Sequence, residues 1–191
     1  ALTPVVFLTT SLLIFLGFLA QYFIFTLPAY WLYKKGFIQG IQLQTQAISE
    51  GQIQREIFWS MISVIQFVIL TLVLLLIWRS GGFPKFYIYP LEKGWSYLLL
   101  SVALLIVFCD AHFYFVHRLL HTPAFRKIHI IHHQSQVPTP FVFYAFHPIE
   151  AFLHFTRFPL CLILFTCSPL ALFVAEFFAL SVNVYGHLNF E

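Results

Sequence analysis

Residues 95–121 read WSYLLLSVALLIVFCDAHFYFVHRLLH, an apolar run that becomes polar before it ends. It is apolar as far as Phe108, and charged and histidine side chains begin at Asp110. No glycine or proline, the residues that interrupt helices, occurs before Pro123. We therefore predict one helix that crosses a bilayer, continues past its boundary and carries a histidine pair out of the lipid.

The composition is that of a membrane protein. Of the 191 residues, 60% are hydrophobic and 9% are charged, whereas about 25% are charged in a typical soluble domain. The formal charge of +3 is spread along the chain, which argues against a nucleic-acid partner. The three cysteines, Cys109, Cys161 and Cys167, lie in apolar stretches without Cys-x-x-Cys spacing, so we expect buried free thiols.

Three further segments have the length and apolarity of spans, since about 20 helical residues cross the hydrocarbon core. They are residues 4–27, 57–78 and 169–185. The apolar region 148–188 suits a broken helical hairpin or a shallow segment followed by one span, and we favour the second. The predicted fold class is an all-α integral membrane protein with about four transmembrane helices and a histidine-rich cytosolic metal site on helix extensions.

Residues 36–55 form the most polar part of the chain, where glutamines alternate with isoleucine and leucine. We predict that this segment lies along the membrane surface, and a solvated linker is the alternative.

The distribution of basic residues predicts an orientation, because cytoplasmic loops carry an excess of lysine and arginine. With the amino terminus outside, three basic residues fall outside and six fall inside: Lys34, Lys35, Arg55, Arg118, Arg126 and Lys127. The histidine-rich end is therefore expected to face the cytoplasm, in a bacterial inner membrane or the endoplasmic reticulum.

Five histidines form two clusters near this polar end. His117 and His121 are four residues apart and share one helical face, and His129, His132 and His133 are spaced to converge on one side of a helical turn. Five imidazoles packed together without a cation would have unmet lone pairs and would repel one another on protonation. The pattern predicts a metal site. Five ligands exceed the need of one tetrahedral zinc and suit two metals, but spacing does not choose between iron, zinc and copper.

Two polar residues precede the first cluster. Asp110 lies seven residues before His117, on nearly the same face, and is a candidate to accept a hydrogen bond from the far N–H of a ligand histidine. His112 points away from that face, and we expect it to be a packing or interface histidine.

The two clusters resemble the histidine boxes of a known family. Residues 110–121 (DAHFYFVHRLLH) resemble the first box of the fatty acid hydroxylase/sterol desaturase superfamily, and residues 129–133 (HIIHH) resemble its second box. Residues 138–141 (PTPF), followed by 145–150 (AFHPIE), are similar to the stretch after that box in the C-5 sterol desaturase branch. The resemblance is strong over residues 110–150, and the helical layout agrees elsewhere.

The resemblance implies a non-haem di-iron centre that activates O2 to hydroxylate or desaturate a membrane lipid. It implies six metal ligands: His117, His121, His129, His132, His133 and His187. It places His147 and Glu150 around those ligands, although helix capping explains both residues equally well. Zinc is a possible substitute in purified protein. A separate electron donor of the ferredoxin or cytochrome b5 type is implied, because the chain has no haem, Fe–S or nucleotide motif.

One departure from the family concerns a further histidine box downstream of the last span, which this sequence does not contain. Six ligands hold one metal well or two metals incompletely. Together with the alanine at position 1, this predicts a piece of a longer protein: a single membrane domain over residues 1–191, truncated at its C-terminus, with the core motifs in 96–191.

Three functions remain open at this stage. A sterol-like substrate is weakly favoured by the PTPF stretch, and a fatty-acyl hydroxylase of the same superfamily is the alternative within the enzymes. The rival from another class is a non-catalytic membrane metal-binding protein. A metal transporter fits less well, since its ligands should lie within the spans, near the midplane. No catalytic residue is expected beyond the metal ligands themselves.

Overall fold

A computed structural model describes residues 3–37, 44 and 46–188 of the chain. Within these residues the fold is helical, as predicted, with seven α-helices and one 3₁₀ helix. In chain order they are α1 (Pro4–Lys34), α2 (Gln52–Arg79), α3 (Gly94–Leu120), α4 (Arg126–His133), the 3₁₀ helix (Pro140–Tyr144), α5 (Pro148–Phe155), α6 (Arg157–Leu164) and α7 (Pro169–Gly186).

Four of these helices, α1, α2, α3 and α7, are long and apolar enough to cross a membrane. The prediction of an all-α integral membrane protein with about four spans is therefore confirmed. Helix α2 begins at Gln52, five residues before the predicted span, because it includes the end of the polar 36–55 segment. Residues 38–43 and 45 of that segment lie outside the described residues, and the position of the segment along the membrane surface stays a prediction.

Helix α3 is continuous from its apolar start to the first histidine pair, as predicted. His117 lies in its last turn, and His121 caps the helix by donating its backbone N–H to the His117 carbonyl at 3.2 Å. Pro123 then ends the helix. The backbone N–H groups of Phe125 and Arg126 both bond to the Thr122 carbonyl, so the chain turns sharply and α4 begins beside the end of α3.

The apolar region 148–188 contains two short helices and one long helix. Helices α5 and α6 have eight residues each, too few to cross a bilayer, and they are divided at Thr156. Pro159 lies within the first turn of α6, where its missing N–H breaks no helical bond. Helix α7 starts where Ser168 accepts a hydrogen bond from the Ala171 backbone N–H. The single span predicted in this region is therefore α7.

The 3₁₀ helix is buried against α1 and α2 and is held there by polar side chains from both. The hydroxyls of Tyr22 and Ser60 donate to the Phe141 carbonyl at 2.9 and 3.1 Å. Gln52 donates to the Val137 carbonyl at 2.7 Å and to Glu56 at 2.8 Å. These bonds satisfy irregular backbone that is shielded from water and would otherwise be costly to bury.

A buried apolar cluster joins α3, α6 and α7. It contains the three cysteines together with Leu98, Leu105, Ala171 and Ala175. All three thiols are free and buried, which confirms the prediction made from their apolar surroundings. The small alanines let α7 approach α3 closely, as is common between helices in membranes.

The contribution of the polar network under the 3₁₀ helix to stability can be tested at the Thr139 hydroxyl. It donates to the buried Glu56 carboxylate and also accepts a bond from the Phe141 backbone N–H. Thr139→Val keeps the side-chain shape but removes the bond to the Glu56 carboxylate and the bond from the Phe141 N–H, so we expect a loss of about 1–3 kcal/mol in the free energy of unfolding. Thermal unfolding of the purified protein in lipid nanodiscs measures this loss.

Two control variants complete this test. Thr139→Ser keeps the hydroxyl and should retain most of the stability. Ser11→Ala removes an exposed hydroxyl that bonds only to the Phe7 carbonyl within its own helix, so it should change little. An unfolding temperature of Thr139→Val equal to that of Ser11→Ala would contradict a stabilising role for the network.

Candidate metal centre

Four imidazoles from two helices converge at the polar end of α3. One potential ligand atom from each of His117, His121, His129 and His133 lies within 4.8 Å of the others. The Nε2 atoms of His117 and His121 are 3.0 Å apart, and those of His129 and His133 are 2.9 Å apart. Each pair has the i, i+4 spacing that places two side chains on one helical face. We call this set the four-histidine group.

His132 does not join this group, which corrects the expectation that all three histidines of the second cluster converge. It turns towards the end of α7, where its Nε2 lies 3.3 Å from the Nε2 of His187. The reason is angular: His129 and His133 share one face of α4, whereas His132 projects from another. We call His132 and His187 the two-histidine group. It adjoins the first, since the ring centroids of His132 and His133 are 5.7 Å apart.

Hydrogen bonds to Nδ1 fix the tautomer of one histidine in each group. The Nδ1–H of His129 donates to Glu150 at 2.8 Å, and the Nδ1–H of His187 donates to the Asn183 carbonyl at 2.7 Å. Each Nε2 is then left with its lone pair directed towards the neighbouring imidazoles. Metal-binding histidines are normally held in this way, by an acceptor bonded to the other ring nitrogen.

Burial favours the neutral form of a histidine in each group, and the neutral form is the one that binds metal. Burial lowers the pKa of His129, and burial together with nearby His187 lowers the pKa of His132 well below its ordinary value. Burial also raises the pKa of the Glu150 carboxyl to about 8. A cation held by His129 would favour the ionised form of this carboxyl.

The two candidates that follow the second cluster, His147 and Glu150, have different positions. His147 caps α5: its Nδ1 accepts a hydrogen bond from the Ile149 backbone N–H at 3.1 Å. Its side chain is therefore a helix cap, the alternative to a position around the metal ligands. Glu150 lies in the first turn of the same helix but is fully buried and bonded to His129. The structure thus brings Glu150, and not His147, to the clustered histidines.

Asp110 and His112 do not contact the clustered histidines by hydrogen bonds in the part of the chain that the structure describes. Asp110 is exposed on α3. His112 bonds through Nε2 to the Thr156 hydroxyl at 2.9 Å, joining α3 to the α5–α6 junction. We expected Asp110 to accept a hydrogen bond from a ligand histidine. In the structure the carboxyl group bonded to such a histidine is that of Glu150.

His154 is a buried residue of this region that the sequence reading missed. Its Nε2 lies 3.9 Å from the same Glu150 oxygen that bonds to His129, and its ring stacks on Phe113 and packs at a tilt against Phe146. The signal was present in the sequence, because Glu150 and His154 are four residues apart and share a helical face.

A cavity of about 580 Å³ lies between α3 and α7 and reaches the two-histidine group. Its lining is mostly apolar and includes His154 and His187. Val107 and Val182, which also line it, are 68% and 54% exposed on the outer faces of their helices. The cavity therefore opens sideways between two spans, towards the side that lipid covers, and its volume is in the range of small-molecule sites.

The donor set fits metal ions of intermediate hardness. Six imidazoles, with no cysteine or carboxylate among the six, suit iron, zinc or copper better than magnesium or calcium. One further observation agrees: the buried Nδ1 of His132 has no hydrogen-bond partner among the described residues, so this ring is free to bind through either nitrogen.

Comparisons with known proteins agree with this geometry. The fatty acid hydroxylase family model matches residues 102–191. The chain is 34% identical to lathosterol oxidase of Mus musculus over 151 residues, which are 76% of this chain and 48% of the mouse protein. It is 34% identical over 146 residues to a Delta(7)-sterol 5(6)-desaturase of Gibberella zeae, covering 76% of this chain and 44% of the fungal protein. The chain thus spans about half the length of these relatives. No solved structure gives a significant match.

The Glu150–His129 bond can be tested without an activity assay. Glu150→Leu removes the acceptor that orients His129, and we expect metal affinity to fall about 10- to 100-fold. Titration of purified, metal-stripped protein with Zn²⁺ measures the affinity. His147→Asn is the matched control, because asparagine caps helices well and the residue lies three positions away on the same helix. Equal affinities for the two variants would show that Glu150 does not support the site.

Proposed function

Because the chain belongs to the fatty acid hydroxylase/sterol desaturase superfamily, we propose that it forms the oxygen-activating part of a di-iron enzyme that hydroxylates or desaturates a membrane lipid. The observation that carries the proposal is the convergence of four imidazoles beside a second pair. Six imidazole ligands at a membrane boundary suit two metal ions, and a single structural zinc would need only four.

The proposed division of ligands follows the two groups. The four-histidine group would hold one iron ion, and His132 and His187 would contribute to the second. Two imidazoles alone bind a metal incompletely, so we expect the second ion to take further ligands from outside the described residues. Zinc would occupy the same nitrogen ligands in protein purified without iron.

When bound, the iron pair would supply the redox chemistry that uses O2 to attack an unactivated C–H bond. The residues of the chain hold and orient the ligands. Glu150 and the Asn183 carbonyl fix two of the rings, and the exposed His121 and His133 leave one side of the four-histidine group accessible. Neither group offers a nucleophile with an adjacent base, so the site is poorly suited to hydrolysis.

The cavity between α3 and α7 suits a substrate that arrives from the bilayer. It opens between two spans and is lined in part by His187, so a lipid could reach the metals without leaving the membrane. We propose a sterol-like lipid as substrate, in keeping with relatives named lathosterol oxidase and Delta(7)-sterol 5(6)-desaturase. O2 is the second substrate, and electrons come from a separate donor of the ferredoxin or cytochrome b5 type. Fatty-acyl hydroxylation is the alternative within the family.

The two-histidine group provides the sharpest test of the di-iron proposal. His132→Ala removes a ligand without touching the four-histidine group, so we expect about half of the bound iron to be lost and lipid oxidation to fall more than about 100-fold. Iron is measured by elemental analysis, and oxidation by mass spectrometry of lipids after anaerobic reduction and exposure to O2. His147→Asn should retain both.

Two results would contradict the proposal. Wild-type protein with almost no iron after iron-replete expression, but with one tightly bound zinc, would indicate a structural metal site. Full lipid oxidation by His132→Ala, in protein that still inserts into membranes, would remove His132 from the ligand set.

We also propose that the histidine-rich end of α3 faces the cytoplasm. Lys85 precedes α3 and Lys127 follows it, so these two exposed side chains lie at opposite ends of that span. Lys127→Cys should react with a membrane-impermeant maleimide only after the cytoplasmic side is opened, whereas Lys85→Cys should react from the other side. The native thiols are buried, so their background labelling should be low. The reverse pattern of labelling would invert the orientation.

A further inference from the structure

A buried ion pair joins α6 to α7, and the proposed metal site does not use it. Glu176 is the only charged residue of α7, and Arg157 is the first residue of α6. Only 15% of the Arg157 side chain and 11% of the Glu176 side chain is exposed. Taking both charges out of water is costly, and apolar side chains in place of such a pair are often as stable. Stability alone therefore does not account for the pair.

The bonds of the Arg157 guanidinium fix its orientation. Its Nε donates to Glu176 Oε2 at 3.1 Å, and its Nη2 donates to Glu176 Oε1, so the carboxylate is bound by a two-bond fork. Its Nη1 donates to the His154 carbonyl of α5 at 2.9 Å, and its central carbon lies 4.5 Å from the centroid of the Phe158 ring. A forked contact between arginine and carboxylate is strongly directional. The pair therefore restricts how α7 can turn relative to the junction of α5 and α6.

The other contacts of α7 restrict its rotation less. Apart from Glu176, its buried residues are apolar: Ala171, Ala175, Leu180 and Val184. Apolar packing between helices has no hydrophobic driving force in a bilayer, because lipid tails are as apolar as the side chains. Among the described residues, the other side chain at α7 that bonds to a different helix is His187, a proposed metal ligand. The ion pair is thus the polar contact that can hold α7 in place before a metal binds.

Glu176 and His187 lie near one face of α7. They are eleven residues apart, which is about three helical turns and a further rotation of about 20°. Turning α7 by one residue position, about 100°, would move His187 away from His132, whose Nε2 is now 3.3 Å from its own. On the other side of the pair, His154 belongs to α5, the helix whose Glu150 bonds to the four-histidine group. The pair therefore links the helices that support the two histidine groups.

We propose that Arg157 and Glu176 are positioning residues: their ion pair determines the rotation of α7 and so brings His187 to His132. The inference rests on the proposed function in one respect, that the two-histidine group helps to hold a second metal ion. Neither Arg157 nor Glu176 binds the metal in this proposal, and both act through His187.

The position of α7 can be measured in metal-free protein. Purified full-length protein in nanodiscs is stripped of metal and carries spin labels at Lys127→Cys on α4 and Tyr185→Cys on α7, two exposed positions. Pulsed EPR gives the distribution of distances between the labels. The native thiols are buried and should take up little label. We expect one narrow distribution when the ion pair is intact.

The double variant Arg157→Met/Glu176→Leu removes the pair and leaves no unpaired charge. We expect its unfolding temperature to change little. The label distances should shift or broaden by up to about 8 Å, the displacement that a turn of about 100° gives on a helix about 10 Å wide. Ser181→Ala is the matched control on α7, because its hydroxyl bonds only to the Phe177 carbonyl of the same helix, and it should keep the narrow distribution.

Zinc titration of the same variants, without the label positions, measures the consequence for the two histidine groups. The affinity of Arg157→Met/Glu176→Leu for the second equivalent of Zn²⁺ should fall about 10- to 100-fold, as for other residues that orient metal ligands. The affinity for the first equivalent should stay unchanged, since the four-histidine group does not include a residue of α7.

Several outcomes would overturn the inference. One is an unshifted distance distribution in Arg157→Met/Glu176→Leu, and another is the same change in Ser181→Ala. A joint fall in the unfolding temperature and in both zinc affinities would reduce the pair to a structural contact. Should the double variant not fold, Glu176→Gln removes the negative charge but keeps the side-chain shape, and the same criteria apply to it. Wild-type protein that binds a single metal ion would contradict the proposed function, whereas the distances in metal-free protein would still decide this inference.

Discussion

The hydrogen bond between His129 and Glu150 is the interaction on which the site depends. It joins the middle of α4 to the first turn of α5 across 21 residues of chain, and it is fully buried. A carboxyl group in such surroundings is costly unless it has a partner. The bond offsets part of the free-energy cost of burying the carboxyl group. It also directs the other ring nitrogen of His129 towards three further imidazoles. Structure and candidate chemistry are thus fixed by one contact.

That contact requires α4 and α5 to be held in register, and the segment between them is not regular. The 3₁₀ helix and the residues before it are anchored by Tyr22, Ser60 and Gln52, side chains from two spanning helices. Polar residues are rare in apolar helices because each must find a partner. Here those partners are the backbone carbonyls of the connecting segment. The spans therefore do more than cross the bilayer: they position the segment that carries the site.

Much of this architecture follows from local sequence, and the exceptions have physical reasons. The continuity of α3 was predictable because no glycine or proline interrupts it, and the start of α7 because Ser168-Pro169 is a strong helix start. The approach of His132 to His187 was not, since it depends on where the fold places α7. The burial of Glu150, and the different positions of Glu150 and Asp110, likewise depend on packing between segments distant in the chain.

The two histidine groups differ in a way that bears on how such a site assembles. The four-histidine group comes from α3 and α4, which are joined by a tight turn at Thr122, so its ligands can meet through local folding. The two-histidine group forms only when α7 packs against the other helices, because His187 lies 55 residues after His132 in the chain. Closing the longer loop carries the larger entropic cost. The second group is therefore completed only when α7 has docked on α3, and the same docking forms the wall of the cavity that His187 lines.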